Sequence, residues 1–389
     1  MKLKFEIVLI LLLAFSAELL ASDQRIRASG FLSAGGQSIG SPAGPRTYDL
    51  QGQLFSTRDV TKFGLNLHAT LSDEISLAAQ FSTTPGTSKN LIPDWYFANW
   101  NDGQFSFRFG QLLLPAWLYS ETKDIGFTYP WVALPYEVYV LNPMKNFTGL
   151  SAGLVNLDVW TGKFTVEFFA GGGRTNYEPH QATDSDRFDI NIKEILGFVT
   201  TIDRSPDFQY RFSYMRADIE ATAFKYITTV SNNIPLLTTL SAPFVDGKID
   251  FTSFGGQHWF GNQLFLFELA QRAVENKQNI VQDLGKINAG YALLGTQQES
   301  WFYYLGYSTS ERQSGNTSGY LPRTDIPSAS LSAISPKTIS SLNIGVKKDF
   351  APFLCGKLQY SSVTTKYEEA STQYNFDTPV YGASIDMIF

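Results

Sequence analysis

Segments in which apolar and polar side chains alternate with period two recur from residue 24 to the last residue. Successive side chains of a strand point to opposite sides, so this rhythm defines sheets with one apolar and one polar face. In Gln104–Gln111, Phe105, Phe107 and Phe109 share one face, while Gln104, Ser106 and Arg108 share the other. In 61–71, Phe63, Leu65, Leu67, Ala69 and Leu71 oppose Lys62, Asn66, His68 and Thr70. The pattern returns at Phe208–Tyr214, at Phe265–Leu269 around Glu268, and at Leu342–Val346. Averaged over the chain, mean hydropathy is only −0.10, because the two faces cancel.

Segments of this kind predict an all-β chain of about sixteen strands, near 24–35, 63–71, 75–83, 92–100, 104–111, 147–156, 163–171, 189–202, 208–218, 249–259, 264–274, 286–296, 300–309, 340–349, 353–365 and 379–389. Tight polar turns near 72–74, 101–103, 203–207, 261–262 and 349–352 alternate with longer connections near 36–62, 112–146, 172–188, 219–248, 310–339 and 366–378. A soluble sandwich has no reason to sort its connections by length. A transmembrane antiparallel β-barrel does, with short periplasmic turns and long external loops, and roughly 10 residues of tilted strand cross a bilayer. The apolar face then meets lipid and the polar face lines a lumen.

The ends of the chain agree with export. Lys2 and Lys4 precede an apolar run from Ile7 to Phe15, and small residues gather at Ala17, Ala21 and Ser22, the pattern of a signal peptide. The expected organisation is a cleaved leader over 1–22 and one barrel domain over 23–389, placed in the outer membrane of a Gram-negative cell. At the other end Tyr381, Ala383, Ile385, Met387 and Phe389 share one face, and the chain stops on the aromatic. This resembles the assembly signal of Gram-negative outer-membrane proteins, which implies that Tyr381, Ile385, Met387 and Phe389 are read by the insertion machinery.

Sixteen strands enclose a lumen wide enough for water, whereas roughly eight leave a filled interior. Leader, strand number, long loops and Phe389 together resemble the Gram-negative porin family, over essentially the whole mature chain. The resemblance implies a water-filled channel for passive diffusion of small hydrophilic solutes and ions, usually a homotrimer, with the third external loop folded inward. Segment 112–146 is that loop by position, although it lacks the Pro-Glu-Phe-Gly-Gly tract of the enterobacterial general porins. Over 107–139 it is more similar to phosphate-selective-porin-like or uncharacterised proteobacterial porins.

Candidate pore-lining and constriction charges are Glu121, Lys123, Asp124 and Glu137 on the loop, with Arg108, Glu167, Lys193, Arg211 and Glu268 on the wall by alternation. Over the whole wall, Arg25, Arg27, Arg108, Lys163, Lys193, Arg211, Arg272, Lys347 and Lys357 fall inward against Glu167, Asp189, Glu268 and Asp386, and this excess of cations predicts a weak anion preference. The loop aromatics Trp117, Tyr119, Tyr129, Trp131, Tyr136 and Tyr139 either pin the loop to the wall or form a track for sugar rings, giving a sugar-selective channel. Small outward residues, Ala28, Gly30, Ala34, Ala69, Ala79 and Ala383, favour close approach of subunits through strands 1–3 and 16.

Other functions receive less support from the residues. The pI near 5.2 argues against nucleic acid as a partner. Gly-x-Ser-x-Gly occurs at 36–40 and 149–153, yet neither precedes a helical pattern, as a nucleophile elbow requires. One Cys and three scattered His give no disulfide and no metal-ligand spacing, so no enzyme and no cofactor are expected. Long loops leave an adhesin or phage-receptor role open as the alternative.

Overall fold

A computed structural model describes residues 25–39, 55–57, 60–83, 92–142, 144–159, 162–177, 186–231, 234–276, 286–313, 337–369 and 372–389. The expected leader lies outside them. Sixteen strands form in chain order: β1 (Ile26–Ile39), β2 (Lys62–Thr70), β3 (Ile75–Thr83), β4 (Ile92–Asn101), β5 (Phe105–Leu113), β6 (Asn146–Val159), β7 (Gly162–Tyr177) and β8 (Asp186–Arg204). They continue as β9 (Phe208–Ser231), β10 (Ile234–Phe260), β11 (Gln263–Asn276), β12 (Ile287–Gln298), β13 (Trp301–Arg312), β14 (Thr338–Ala351), β15 (Leu354–Glu369) and β16 (Thr372–Ile388). A single turn of helix, α1 (Tyr136–Tyr139), lies in the loop after β5.

Every strand pairs antiparallel with its sequence neighbours, and β1 closes on β16 from Phe31↔Ile388 to Ile39↔Val380. Closure leaves no sheet edge. Turns at one end of the barrel are short throughout, and Gly103 (φ +99°) and Gly261 (φ +64°) supply the left-handed backbone that two of them require. The connections at the other end are not uniformly long. Segments 219–248 and 366–378, expected as loops, are largely strand: β9 and β10 run on to Ser231 and Ile234, and β15 and β16 reach Glu369 and Thr372. The ladder absorbs Pro243 at a bulge between Pro243 and Val245, a position where a missing N–H is tolerated.

The outer face is apolar. Phe105, Phe107, Phe109, Leu294, Leu305, Ile344, Leu358 and Ile385 all stand exposed on it, with Leu294 at 64% and Phe109 at 62% exposure. Apolar surface of this extent around a whole barrel belongs in lipid and not in water. Near the short-turn end the row becomes aromatic, with Trp100, Phe260, Trp301, Phe350 and Phe353 exposed, and the Lys348 ammonium lies 4.4 Å from the Trp301 ring centre. Such a girdle, with a lysine reaching toward headgroups, marks a membrane interface. The terminal alternation takes its expected side: Tyr381 and Ile385 are exposed outward, and Phe389 packs on Phe63 at 6.5 Å between ring centres.

The inner face divides into two arcs. On β8–β12 it is mainly apolar, built from Ile192, Ile195, Met215, Ala217, Phe251, Leu264, Leu266 and Leu293, with Arg211, Ser213, Ser253 and Glu268 set among them. On β13–β16 and β1 it is polar, with Ser308, Ser341, Asn343, Lys357, Ser361, Ser384, Asp386, Ser33 and Gln37 buried there. The outer face predicts one consequence. Ile344→Lys puts an ammonium among lipid-facing residues, and denaturant unfolding in bilayers should show a loss of about 2–4 kcal/mol if the site is near mid-membrane.

Candidate functional site: the loop inside the barrel

Residues 114–145 leave β5, cross the lumen and return to β6. Their apolar side chains, among them Leu114, Trp117, Leu118, Val138, Leu141 and Met144, pack into one cluster with the apolar arc, including Met215, Phe251, Leu266 and Leu293. Burying a side chain of this size is worth about 1.5–3 kcal/mol, so the packing outweighs any one polar contact in the loop. An apolar wall in a water-filled lumen makes sense only if something covers it, and this loop does. The aromatics work as anchors and not as an exposed track. Trp117 meets Phe251 edge to face at 4.6 Å, Trp131 meets Tyr291 at 5.2 Å, and Trp117, Tyr119, Tyr129 and Trp131 are all buried. Tyr139 stacks on Tyr291, and Tyr136 packs on Ile339, Val363 and Val380.

Charged groups tie the loop down on all sides. Glu268 of β11 is fully buried and accepts three hydrogen bonds: from the Leu118 N–H (2.8 Å), the Tyr139 hydroxyl (3.0 Å) and the Tyr291 hydroxyl (3.2 Å). Arg211 of β9 donates two bonds to Glu121, at 2.6 and 2.8 Å, in the fork geometry favoured by guanidinium and carboxylate. The Arg211 charge and its two hydrogen bonds hold the Glu121 carboxyl below its ordinary range. Beside it Arg108 of β5 donates to Glu167 of β7 at 2.8 Å. Wall residues Arg108, Glu167 and Arg211 and loop residue Glu121 thus form two ion pairs inside the barrel.

A second set surrounds the loop tip. Asp124 pairs with Lys62 of β2 (3.3 Å) and with Lys145 (2.7 Å), and Lys145 also reaches Asp94 of β4. Burial opposes the Asp124 charge, yet Lys145, Lys62 and Lys123 together depress its carboxyl strongly. Burial has the opposite outcome at Lys123, where Asp124 offsets it only in part and the ammonium falls to about 8. Lys357 of β15 is buried with Asp386 (3.0 Å) and donates to the carbonyls of Gly126 and Trp131, while Lys347 of β14 donates to that of Phe127 (3.2 Å). Farther on, Glu137 is buried and accepts from the Ser308 hydroxyl at 2.9 Å.

One expected wall residue stands elsewhere. Lys193 sits at a β-bulge between Ile192 and Glu194; both Ile192 and Ile195 turn inward, so Lys193 falls on the outer face, where it pairs with Glu220 at 3.4 Å. The extra residue shifts the alternation by one, and alternation alone cannot detect it. Lys62, Asp94 and Gln359 also anchor the loop, although the sequence pattern did not single them out. Lys62 was legible as an inward residue, but no periodicity reveals which loop atom it will meet. Both Gly-x-Ser-x-Gly segments start within strands, β1 and β6, and Ser151 lies within a ladder. Among the described residues no cluster of His, Cys, Asp and Glu could hold a metal ion.

No protein-family model and no curated protein matches the chain. Solved structures do. The outer-membrane protein OmpT of Vibrio cholerae is similar over 95% of this chain and 99% of its own, with a TM-score of 0.57 and 11% identity. The outer membrane channel DcaP of Acinetobacter baumannii matches over 94% and 97%, at 0.56 and 11%. An anion-selective porin from Comamonas acidovorans matches over 94% and 99%, at 0.53 and 11%. At these identities the likeness is one of fold: this chain has the sixteen-strand barrel of outer-membrane porins.

The buried acid on β11 supplies a test. Glu268→Leu leaves two tyrosine hydroxyls and the Leu118 N–H without their acceptor, at about 1–3 kcal/mol for each buried group left unpaired. Cleavage within 114–145 by a protease added to the folded barrel should speed up at least tenfold, whereas Glu268→Gln, which keeps an acceptor oxygen, should fall between Leu and the parent.

Proposed function

We propose that the protein is an outer-membrane channel for passive diffusion of small hydrophilic solutes and ions, not an enzyme. The observation that carries this reading is the closed sixteen-strand barrel with an apolar exterior and a charged loop folded across its lumen. In this reading residues 1–22 are a leader cleaved on export, the short turns face the periplasm, and the long connections face outward. Loop 114–145 is the constriction, with Glu121, Arg211, Arg108 and Glu167 beside the remaining passage. A weak anion preference agrees with the anion-selective porin among the structural neighbours. It agrees too with the short-turn mouth, where Arg25 and Arg27 are exposed, although Arg108 is paired with Glu167 and Arg211, Lys347 and Lys357 are occupied by the loop and its partners.

Reconstitution in a planar bilayer tests the function. Stepwise conductance is expected, with a reversal potential in a KCl gradient that favours chloride slightly. Deleting part of 114–145 should raise the conductance. A plugged surface receptor would give no steady current, and clear cation selectivity would overturn the charge reading.

A homotrimer is the proposed assembly, supported by the small outward residues of β1–β3 and β16 and by the trimer form of the Vibrio cholerae neighbour. Ala69 and Ala79 lie in neighbouring outward rows, opposite Leu77 and Tyr96 respectively. Replacing both with Trp should release monomers on native gels, while unchanged migration would place the interface elsewhere.

A further inference from the structure

Deep in the lumen the wall cations are engaged by acids: Arg108 by Glu167, Arg211 by Glu121, Lys62 by Asp124 and Lys357 by Asp386. The short-turn mouth differs. Arg27 of β1 and His68 of β2 stand directly opposite each other in the ladder. Six residues farther along the same two rows, Ser33 and Lys62 both meet the inward loop, so the rows that hold Arg27 and His68 face the lumen as well. Both residues are exposed, as is Arg25 at the rim, and among the described residues no ion pair joins any of the three. Residues opposite each other in an antiparallel pair have Cβ atoms about 4.5–5.5 Å apart, so the Arg27 guanidinium and the His68 imidazole share one patch of water.

The surroundings do little to neutralise this patch. On β3, His68 lies opposite Ala78, with Ser76 and Gln80 to either side in the inward row, and Phe97 and Asn99 follow on β4. Glu74, in the turn after β2, accepts from the Trp100 indole on the outer girdle at 2.9 Å, and the Phe389 carboxylate accepts from the Gly30 N–H at 2.7 Å. Asp124 and Lys62, higher on the row, hold each other at 3.3 Å, and Asp73 stands exposed in the turn. Imidazole is the side chain that ordinarily gains its proton between about pH 8 and 5. With that proton the rim carries three positive charges, and without it two.

We propose that Arg25, Arg27 and His68 form an anion-binding rim at the short-turn mouth, and that the protonation state of His68 sets its strength. A small anion, such as chloride or a carboxylate, seats between guanidinium and imidazolium and pairs with both. This rests on the channel reading above and adds where anions are gathered and what tunes the gathering. One unit charge about 8 Å from a passing ion, in about 0.1 M salt, changes the local ion concentration about 1.5-fold, upward for anions and downward for cations. The chloride-to-potassium permeability ratio should therefore rise about twofold on acidification, and the rise should fade in about 1 M salt as screening shortens.

Reversal potentials in a dilute KCl gradient, read at about pH 7.5 and about pH 5.5, test the rim. Heat-modifiable migration on gels checks that each variant has folded. The parent should show the rise, His68→Gln should keep the high-pH ratio at both values, and His68→Lys should keep the low-pH ratio at both. Acidifying one chamber should reproduce the shift and acidifying the other should not, because the rim lies at one mouth; equal effects from the two chambers would overturn that placement. An equal shift in the parent and in His68→Gln, or no shift in a parent that conducts, would overturn the rim and leave the channel reading intact. Absence of current in the parent protein would overturn the channel reading itself.

Discussion

The need to satisfy every backbone polar group without water shapes this protein. In hydrocarbon an unpaired N–H or C=O costs several kcal/mol, so a sheet survives there only if it has no edge. Pairing of β1 with β16 removes the edge, and the other features of the exterior follow from it. Outward rows are free to be apolar because no strand end needs water until the girdle of Trp100, Phe260, Trp301 and Phe353 is reached. Closure also creates a lumen, and a lumen of sixteen strands must be filled by water, by protein or by both.

Here the filling is uneven, and the reason lies in the wall. One arc of the inner face is mainly apolar, and the loop after β5 supplies the matching apolar surface. The other arc offers lysines, serines and amides, and the loop answers with backbone carbonyls, Asp124 and Glu137. Charges that look like pore lining from alternation alone are therefore largely structural: Glu268, Lys357 and Arg211 spend their hydrogen bonds on holding the loop. In the proposed channel, ion selectivity rests on charges still exposed to solvent, such as Arg25 and Arg27.

Much of this was legible in the residues. Alternation placed all sixteen strands, put Phe105, Phe107 and Phe109 outward, and put Arg108, Glu167, Arg211 and Glu268 inward, because a strand's side-chain period leaves only two choices. It failed where the period was broken or disguised. The bulge at Lys193 moved that side chain to the outer face, and 219–248, expected as a loop, holds the far ends of β9 and β10. The loop's position and its aromatic content were also legible, but whether those rings faced solute or wall was not.

What the sequence determined by itself was the barrel: strand count, sidedness and the location of the long third loop all follow from local pattern. The tertiary structure decided what that loop does. Which carbonyl Lys357 holds, which arginine Glu121 meets and which arc of wall Leu118 covers depend on residues that lie far apart along the chain, up to 231 positions for Lys357 and Gly126. No local periodicity carries that information, because the partners meet only once the sheet has closed.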